Sequence, residues 1–434
     1  MIYNLSQYNI HWKTKRLNQL GVFSRGKSKH RPRDDYRLFI NGKYPLIQTS
    51  DIKKANLYVT SHVQEYNEFG LQQSKLWNKG TLCITIAANI ADTAIISYPM
   101  CFPDSVVGFL ANKNESSELF MHYIFKYIQN NIKKTVRGSI QDNININYLE
   151  QLYFKIPEKA YQNKIVLILS SIDKKIELNN KINTELEAMA KIIYDYWFLQ
   201  FEFPNEEGKP YKSSGGKMVW NEELKREIPE GWKVNNILNV CDVVDCLHSK
   251  KPTYCKEYED YYLLTLENLT EKGYIDLSKK YYISKTDYEK WTSRILVKEN
   301  DFVVTNAGRA GDIGKIPYGV KCAIGRNLTA IRPKNINPYY LRQFFKSNYL
   351  KEQVLSNLDC GSFFMSFNVK SIKSLNVLIP NEDIMKKSID ILKPIILKIE
   401  NNIVENQELT SLRDFLLPLL MNGQVGFKGD KAEG

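Results

Sequence analysis

The chain has 434 residues, which is more than one ordinary core accommodates, so two or more domains are expected. An apolar share of 43% and a charged share of 25% are those of a folded soluble protein. The longest apolar stretch, residues 82–96, is interrupted by Asn89 and Asp92, so no membrane span is expected. Tyr3 and Asn4 follow Met1 closely, which argues against a secretory leader. Seven cysteines without a C-x-x-C pair, and only five histidines, argue against a disulfide framework or a metal site. Reduced thiols and a cytoplasmic location fit best.

The net charge of +12 and the pI near 9.0 point to an anionic partner, nucleic acid before membrane surface. Residues 1–158 carry 20 Lys and Arg against 12 Asp and Glu, so most of the excess sits in the first third. Arg25, Lys27, Lys29, Arg31 and Arg33 place five cations in nine residues with no acid among them. Together with 27 tyrosines and 19 phenylalanines, this favours phosphate contact over a merely solvated loop.

The chain is written twice. Trp12-Lys-Thr-Lys-Arg-Leu matches Trp232-Lys-Val-Asn-Asn-Ile at an offset of 220, and the same offset lays Thr85…Asp92 on Thr305…Asp312. Small slips then align Cys101 with Cys322, Gly138-Ser139 with Gly361-Ser362, and Ile156-Pro157 with Ile379-Pro380. Each copy ends in a helical seam. Ile165, Leu169, Ile172, Ile176, Asn179, Asn183, Leu186, Ala190, Ile193 and Trp197 alternate steps of four and three. Adding 223 gives Ser388, Leu392, Ile395, Ile399, Asn402, Asn406, Leu409, Arg413, Leu416 and Leu420. Asparagines at matching depths, Asn179 and Asn183 with Asn402 and Asn406, suit two helices that pack on each other and use amides to fix register. Pro394 is expected to kink or restart the second helix.

The organisation reads as a globular domain 1–158, a helix 159–199, a linker 200–228, a second globular domain 229–382, a second helix 383–425 and a disordered tail 426–434. Runs such as Leu263–Leu266 and Asp301–Thr305 read as strands and 339–348 as an amphipathic helix, giving an α+β fold. Asn337-Pro338-Tyr339-Tyr340 resembles an adenine-methyltransferase signature, but Asn at a helix cap and Pro at the first position account for it. Gly308…Lys315 has the wrong spacing for a phosphate loop and reads as a hairpin turn. No nuclease cluster or nucleophile elbow is apparent, so no catalytic residue is assigned.

A duplicated domain with a long helix after each copy resembles the specificity subunit of type I restriction-modification systems. Pro229-Glu-Gly-Trp-Lys233, Leu417-Pro-Leu-Leu-Met-Asn-Gly-Gln-Val425, Ile192…Phe198 and Tyr44…Ile52 carry the resemblance, which covers nearly the whole chain. It implies two pseudo-twofold-related target-recognition domains, each reading half of a split, asymmetric double-stranded DNA sequence, with the helices forming an antiparallel coiled-coil spacer. It also implies two modification subunits and further restriction subunits as partners, no membrane, and no cofactor in this chain. S-adenosylmethionine, ATP and magnesium would belong to the partners. Residues 165–197 would span roughly 50 Å, or about 15 base pairs. The competing readings are a stand-alone DNA-modifying enzyme and a coiled-coil scaffold or anti-restriction protein that binds no DNA.

Phosphate contacts are expected from Arg25, Lys27, Lys29 and Arg31 in the first copy and from Lys250 and Lys251 in the second. Base contacts are expected from Asn306, Arg309, Arg326 and Asn327, because Arg suits guanine and Asn suits adenine. Ser139, Gln141 and Ser362 are weaker candidates. The sequence alignment sets Asn89 against Arg309, and Ser105 or Val106 against Arg326 or Asn327, so base-reading roles do not carry over between copies.

Overall fold

The computed structural model describes residues 2–87, 90–137, 144, 146–250, 252–255, 260–270, 272–360 and 365–427. The chain divides into two compact units, residues 1–179 with 405–434 and residues 180–404. Each unit therefore holds one globular domain and a part of both long helices, Lys159–Tyr194 and Glu382–Met421. The second helix runs unbroken through Pro394, which stands on the exposed side. There the carbonyl that loses its amide partner can be hydrated, so no restart is needed.

In the first unit, a five-stranded sheet runs Gly21–Arg25, Val106–Ala111, Leu82–Thr85, Thr93–Ile96, Tyr58–Val59 in spatial order. A four-stranded sheet runs Gln64–Tyr66, Tyr44–Leu46, Met100–Cys101, Leu76–Trp77. The strands Leu82–Thr85 and Thr93–Ile96 are buried throughout, which is why they read as continuous apolar runs. Helix Glu118–Arg137 lays Phe120, Ile124 and Ile128 into the core, with the Ser117 hydroxyl accepting from the Phe120 amide at 3.2 Å as its cap. A Cβ at Gly108 would stand 2.6 Å from the Trp77 ring, so that strand position can carry no side chain.

The second unit repeats this plan. Cys241–Asp245, Leu328–Pro333, Phe302–Thr305 and Ile313–Lys315 form one sheet in that order. Tyr281–Tyr282, Tyr262–Leu264, Lys321–Ile324 and Val297–Lys298 form the other. Even the lone ladders correspond: Lys13 pairs with Ile156 in one copy and Lys233 with Ile379 in the other. Asn337 caps helix Pro338–Lys346 by accepting from the Tyr339 amide at 2.9 Å, with Pro338 in the first turn. The methyltransferase-like tetrapeptide is thus a helix start.

Within each unit the two helical segments run antiparallel. In the first, the Asn179 amide donates to Asn406 at 2.9 Å and to Glu405 at 2.7 Å. In the second, Asn402 donates to Asn183 at 2.7 Å. Each domain is fastened to its helices by buried charge. Asp173 takes Arg413 at 2.8 Å and the Tyr123 hydroxyl at 2.7 Å in the first unit. In the second, Glu187 takes Arg342 at 2.5 Å and Lys346 at 2.8 Å, and Glu400 takes Lys315 at 2.7 Å. Burial pushes the Asp173 carboxyl up, but Lys126, Arg413 and Tyr123 outweigh it and hold it below the usual range.

Residues 200–228, expected to be a linker, are built into the second unit. Phe201 and Phe203 are buried against Trp232, with ring centroids 5.5 and 5.1 Å away, and Met218–Asn221 pairs with Arg226–Pro229 as a hairpin. In the first unit, residues 421–427 play the part that 201–203 play in the second. Asn4 donates to the Met421 carbonyl at 3.2 Å, and Phe427 packs on Tyr161 with centroids 4.9 Å apart. Gly426 and Phe427 are therefore ordered parts of the first unit, where a disordered tail was expected; residues 428–434 lie outside the described residues. An aromatic cluster around a tryptophan holds both ends in ways that Gly- and Lys-rich composition conceals.

His122 is fully enclosed in the first unit, its Nδ1 within 3.0 Å of the Thr93 hydroxyl. Burial, with Lys126 behind it, pushes its pKa down to about 3. The unfolded chain takes up a proton there below about pH 6.5, while the folded one resists it, so stability falls as pH drops through that window. His122→Gln should flatten the pH dependence of urea unfolding between pH 4 and 5.5 by about 1.4 kcal/mol per pH unit. An unchanged slope would mean that the ring is already charged in the folded protein.

Candidate nucleic-acid interface

The cationic loop of the first unit leaves strand Gly21–Arg25 and is pinned through its backbone. The Gly26, Lys27 and Lys29 amides donate to the Val106, Phe102 and Gln73 carbonyls at 2.8, 3.0 and 3.1 Å. Lys27 and Lys29 themselves are exposed and make no side-chain hydrogen bond or ion pair among the described residues. The arginines behave differently. Arg33 reaches Asp104 at 2.6 Å, Arg31 reaches the same carboxylate at 3.4 Å, and Arg25 donates to the Asp104 carbonyl. A second acid, Asp35, takes His30 at 2.7 Å and Arg37 at 2.6 Å. Arg37 first and His30 second hold its carboxyl well below the usual range. The loop contains no acid between residues 25 and 33, yet folding delivers one from residue 104.

In the second unit, three segments meet at one edge. The turn after Phe302–Thr305 is closed by the Thr305 hydroxyl, which accepts from the Asp312 amide at 3.0 Å, and by Gly311 at φ +88°. The first copy closes the same turn on Thr85 and Asp92 at 3.0 Å, with Ala91 at φ +58°. Beside it lies the turn Arg326-Asn327, whose Asn327 carbonyl accepts from the Asn306 amide at 2.8 Å. The hairpin Asp359–Cys360/Met365–Ser366 joins through the Ala307–Ser366 bridge.

The structure thus brings Asn306, Arg309, Arg326 and Asn327 together, but gives them different work. Arg326 and Asn327 are exposed, and Asn327 holds φ +64°, a conformation Asn tolerates well. Arg309 is bent back onto the Leu266 carbonyl at 2.9 Å and Asp312 at 3.3 Å. Asn306 is structural, contrary to the expectation of base contact: its amide donates to the Phe367 carbonyl at 3.2 Å and accepts from Thr329 at 3.0 Å. Lys250 is exposed, whereas Lys251, Ser139, Gln141 and Ser362 lie outside the described residues, as does Asn89. Asp245, Cys246 and His248 bring ligand-type atoms within 4.8 Å of one another. There the carboxylate is already engaged by His248 at 2.7 Å, and burial raises the Cys246 thiol.

Strand register also corrects the alignment of the two copies. Val106 pairs with Thr85 and Leu328 with Thr305, so the counterpart of Arg326 is Asp104 and that of Asn327 is Ser105. The backbone agrees: Ile86 donates to the Ser105 carbonyl at 3.0 Å as Asn306 does to that of Asn327. One turn of the fold therefore carries an acid in the first copy and an arginine in the second. Sequence comparison was one residue out of step here, because nothing in the turn itself marks its register.

Asn306→Ala should leave the Phe367 carbonyl and the Thr329 hydroxyl without their partner and cost about 1–2 kcal/mol of stability. Urea unfolding checks it; an unchanged midpoint would return Asn306 to the set of free recognition side chains.

Comparison with known proteins fits this duplicated plan. The type I restriction modification DNA specificity domain matches residues 9–188 and again 229–411. The type I restriction enzyme MjaIX specificity subunit of Methanocaldococcus jannaschii is 23% identical over 423 residues, covering 95% of this chain and 93% of that one. The HindI specificity subunit of Haemophilus influenzae is 22% identical over 360 residues, covering 67% of this chain and 72% of its own length. Among solved structures, the type I restriction-modification system S subunit from M. genitalium shares the fold with a TM-score of 0.58 at 16% identity, covering 97% of this chain and 99% of that one. The chain belongs to the type I restriction-modification DNA specificity domain family and contains two copies of that domain.

Proposed function

We propose that this chain is the DNA-recognition subunit of a type I restriction-modification complex, each copy of the domain reading one half of a split, asymmetric target. The observation that carries this reading is the inverted charge on one shared turn, Asp104 in the first copy and Arg326 in the second, within otherwise matching sheets. Equal frames with unequal reading surfaces suit unequal half-sites. In the first copy, Lys27 and Lys29 are free to take phosphates, while Asp104 gathers Arg25, Arg31 and Arg33 into one cluster. Arg326, exposed on its turn, is suited to the two acceptors of guanine, and Asn327 to adenine.

Two modification subunits are the natural partners, and the helices supply a reason. Met189 and Ile192 are 50% and 66% exposed, and their counterparts Leu412 and Phe415 are 46% and 65% exposed. The same apolar pair, uncovered at the same repeat position in each unit, suits two copies of one partner. Methyl transfer, with its S-adenosylmethionine, belongs to those partners, and ATP- and magnesium-dependent restriction to further subunits. This chain contributes no catalytic group. Among the described residues no helix is long and apolar enough to cross a membrane, and the cysteines Cys83, Cys101, Cys241, Cys246, Cys255 and Cys322 are free, as in a cytoplasmic protein.

The deciding experiment is co-expression with the neighbouring modification subunit, followed by single-base mapping of methylated adenine. Modification should follow one split motif; Arg326→Ala should relax one half only, with a loss of about 1–3 kcal/mol of discrimination. Lys27→Ala should weaken binding to all sequences alike and lower the salt slope by about one. Methylation by this chain alone would make it an enzyme, and an active partner without a motif would leave a scaffold.

A further inference from the structure

The two long helices carry the same seam, yet one layer of it differs between the units. In the first unit that layer is charged. Asp173 is wholly buried and Arg413 is 7% exposed; besides their mutual bond, Asn56 donates to Asp173 at 3.1 Å and accepts from Arg413 at 2.9 Å. The repeat sets Ile396 as the counterpart of Asp173 and Ala190 as that of Arg413. In the second unit these two are wholly buried in one apolar cluster with Leu392. One layer is thus an ion pair in one unit and a hydrocarbon contact in the other.

The asparagine layers tell one helix from the other by a single neutral-donor hydrogen bond, that of Asn179 to Glu405. A first helix laid in the same register against the first helix of another copy would set Asn179 against Asn183, which can stand in for Asn406, and would lose only the Glu405 acceptor, whose repeat counterpart is Ile182. The charged layer can tell them apart. That same like pair would set Asp173 against Ala190, and two second helices would set Arg413 against Ile396. Either arrangement takes the cross-helix ion partner from a buried charge, twice in a symmetric pair, leaving Arg413 with the exposed Asp414 alone and Asp173 with Asn56, Tyr123 and the charge of Lys126.

We propose that Asp173 and Arg413 make the seam selective for unlike helices, so that the first long helix accepts the second and rejects the first helix of another copy. A buried ion pair is weak evidence for stability, but removing one partner across the seam is heavily disfavoured, by roughly a hundredfold or more per pair broken. The device therefore acts by exclusion. Its consequence is that every assembled subunit presents one domain of each kind, which keeps the recognised target asymmetric if the domains read DNA as proposed above.

The test uses the full-length chain, folded intact and then cut at an engineered protease site in the exposed turn around Gly208. Light and isotopically heavy nicked samples are mixed in urea, raised until unlike light–heavy complexes appear by native mass spectrometry, which proves exchange. Wild type should show unlike pairs with like pairs below about one in a hundred. Two variants should bring like pairs toward about half of all complexes, the statistical share. Asp173→Ile with Arg413→Ala makes both layers apolar, and Ala190→Arg with Ile396→Asp makes both charged. Like pairs in wild type, or their absence from whichever variant folds by circular dichroism, would overturn the proposal. Because the readout is fragment pairing, that failure would leave the DNA reading standing.

Discussion

A buried side-chain amide has few ways of being satisfied, and at a helix–helix seam it has one. Asn179 is 1% exposed and finds its acceptors on Glu405 and Asn406; Asn402, equally buried, finds its own on Asn183. A slip of one heptad would bury these amides against hydrocarbon and cost about as much as several buried methyl groups contribute. Everything else hangs on that register. Only in this alignment does Asp173 meet Arg413 in the first unit, and Ala190 meet Leu392 and Ile396 in the second.

Given fixed helices, the domains are free to diverge where it matters. The strands that their sheets share keep one order and the same parallel contacts, Tyr44–Leu46 with Met100–Cys101 and Tyr262–Leu264 with Lys321–Ile324. Their exposed turns do not match. A core tolerates little change in volume, whereas a turn tolerates any residue compatible with its backbone. Thr85 and Thr305 bind their turns identically, while the neighbouring turn exchanges Asp104 for Arg326 without disturbing either sheet. Duplication followed by turn divergence is then a low-cost route to two different reading surfaces on one frame.

The repeat, the helical seam and the α+β plan were legible because they are periodic, and periodicity survives without knowledge of contacts. What depends on contacts between distant residues was not. Asp104 lies some seventy residues from the arginines it gathers, and no spacing rule connects them. Asn306 has the composition of a recognition residue, but the backbone of residue 367 and the hydroxyl of Thr329 claim its amide. Residues 201–203 read as linker because Gly, Lys and Ser surround them, while Phe203 stacks on Trp232 and Phe201 meets the same ring edge-on. Local chemistry marks what a side chain can do; tertiary packing decides whether it is free to do it.

The same distinction separates the charges of this chain. Those committed inside the units, Asp173 with Arg413 and Glu187 with Arg342 and Lys346, sit in low-dielectric surroundings where each needs its partner. Those left outside, Lys27, Lys29, Lys250 and Arg326, have no partner among the described residues and gain most from a polyanion. Asp104 stands between the two groups: its carboxylate is half-sheltered, binds Arg31 and Arg33, and leaves Lys27 and Lys29 as the unneutralised cations of the loop. A carboxylate at that point lowers attraction to any phosphate backbone while holding the guanidiniums in place. It therefore trades affinity that all sequences share for an ordered surface that one sequence can match, which is the exchange a recognition domain requires.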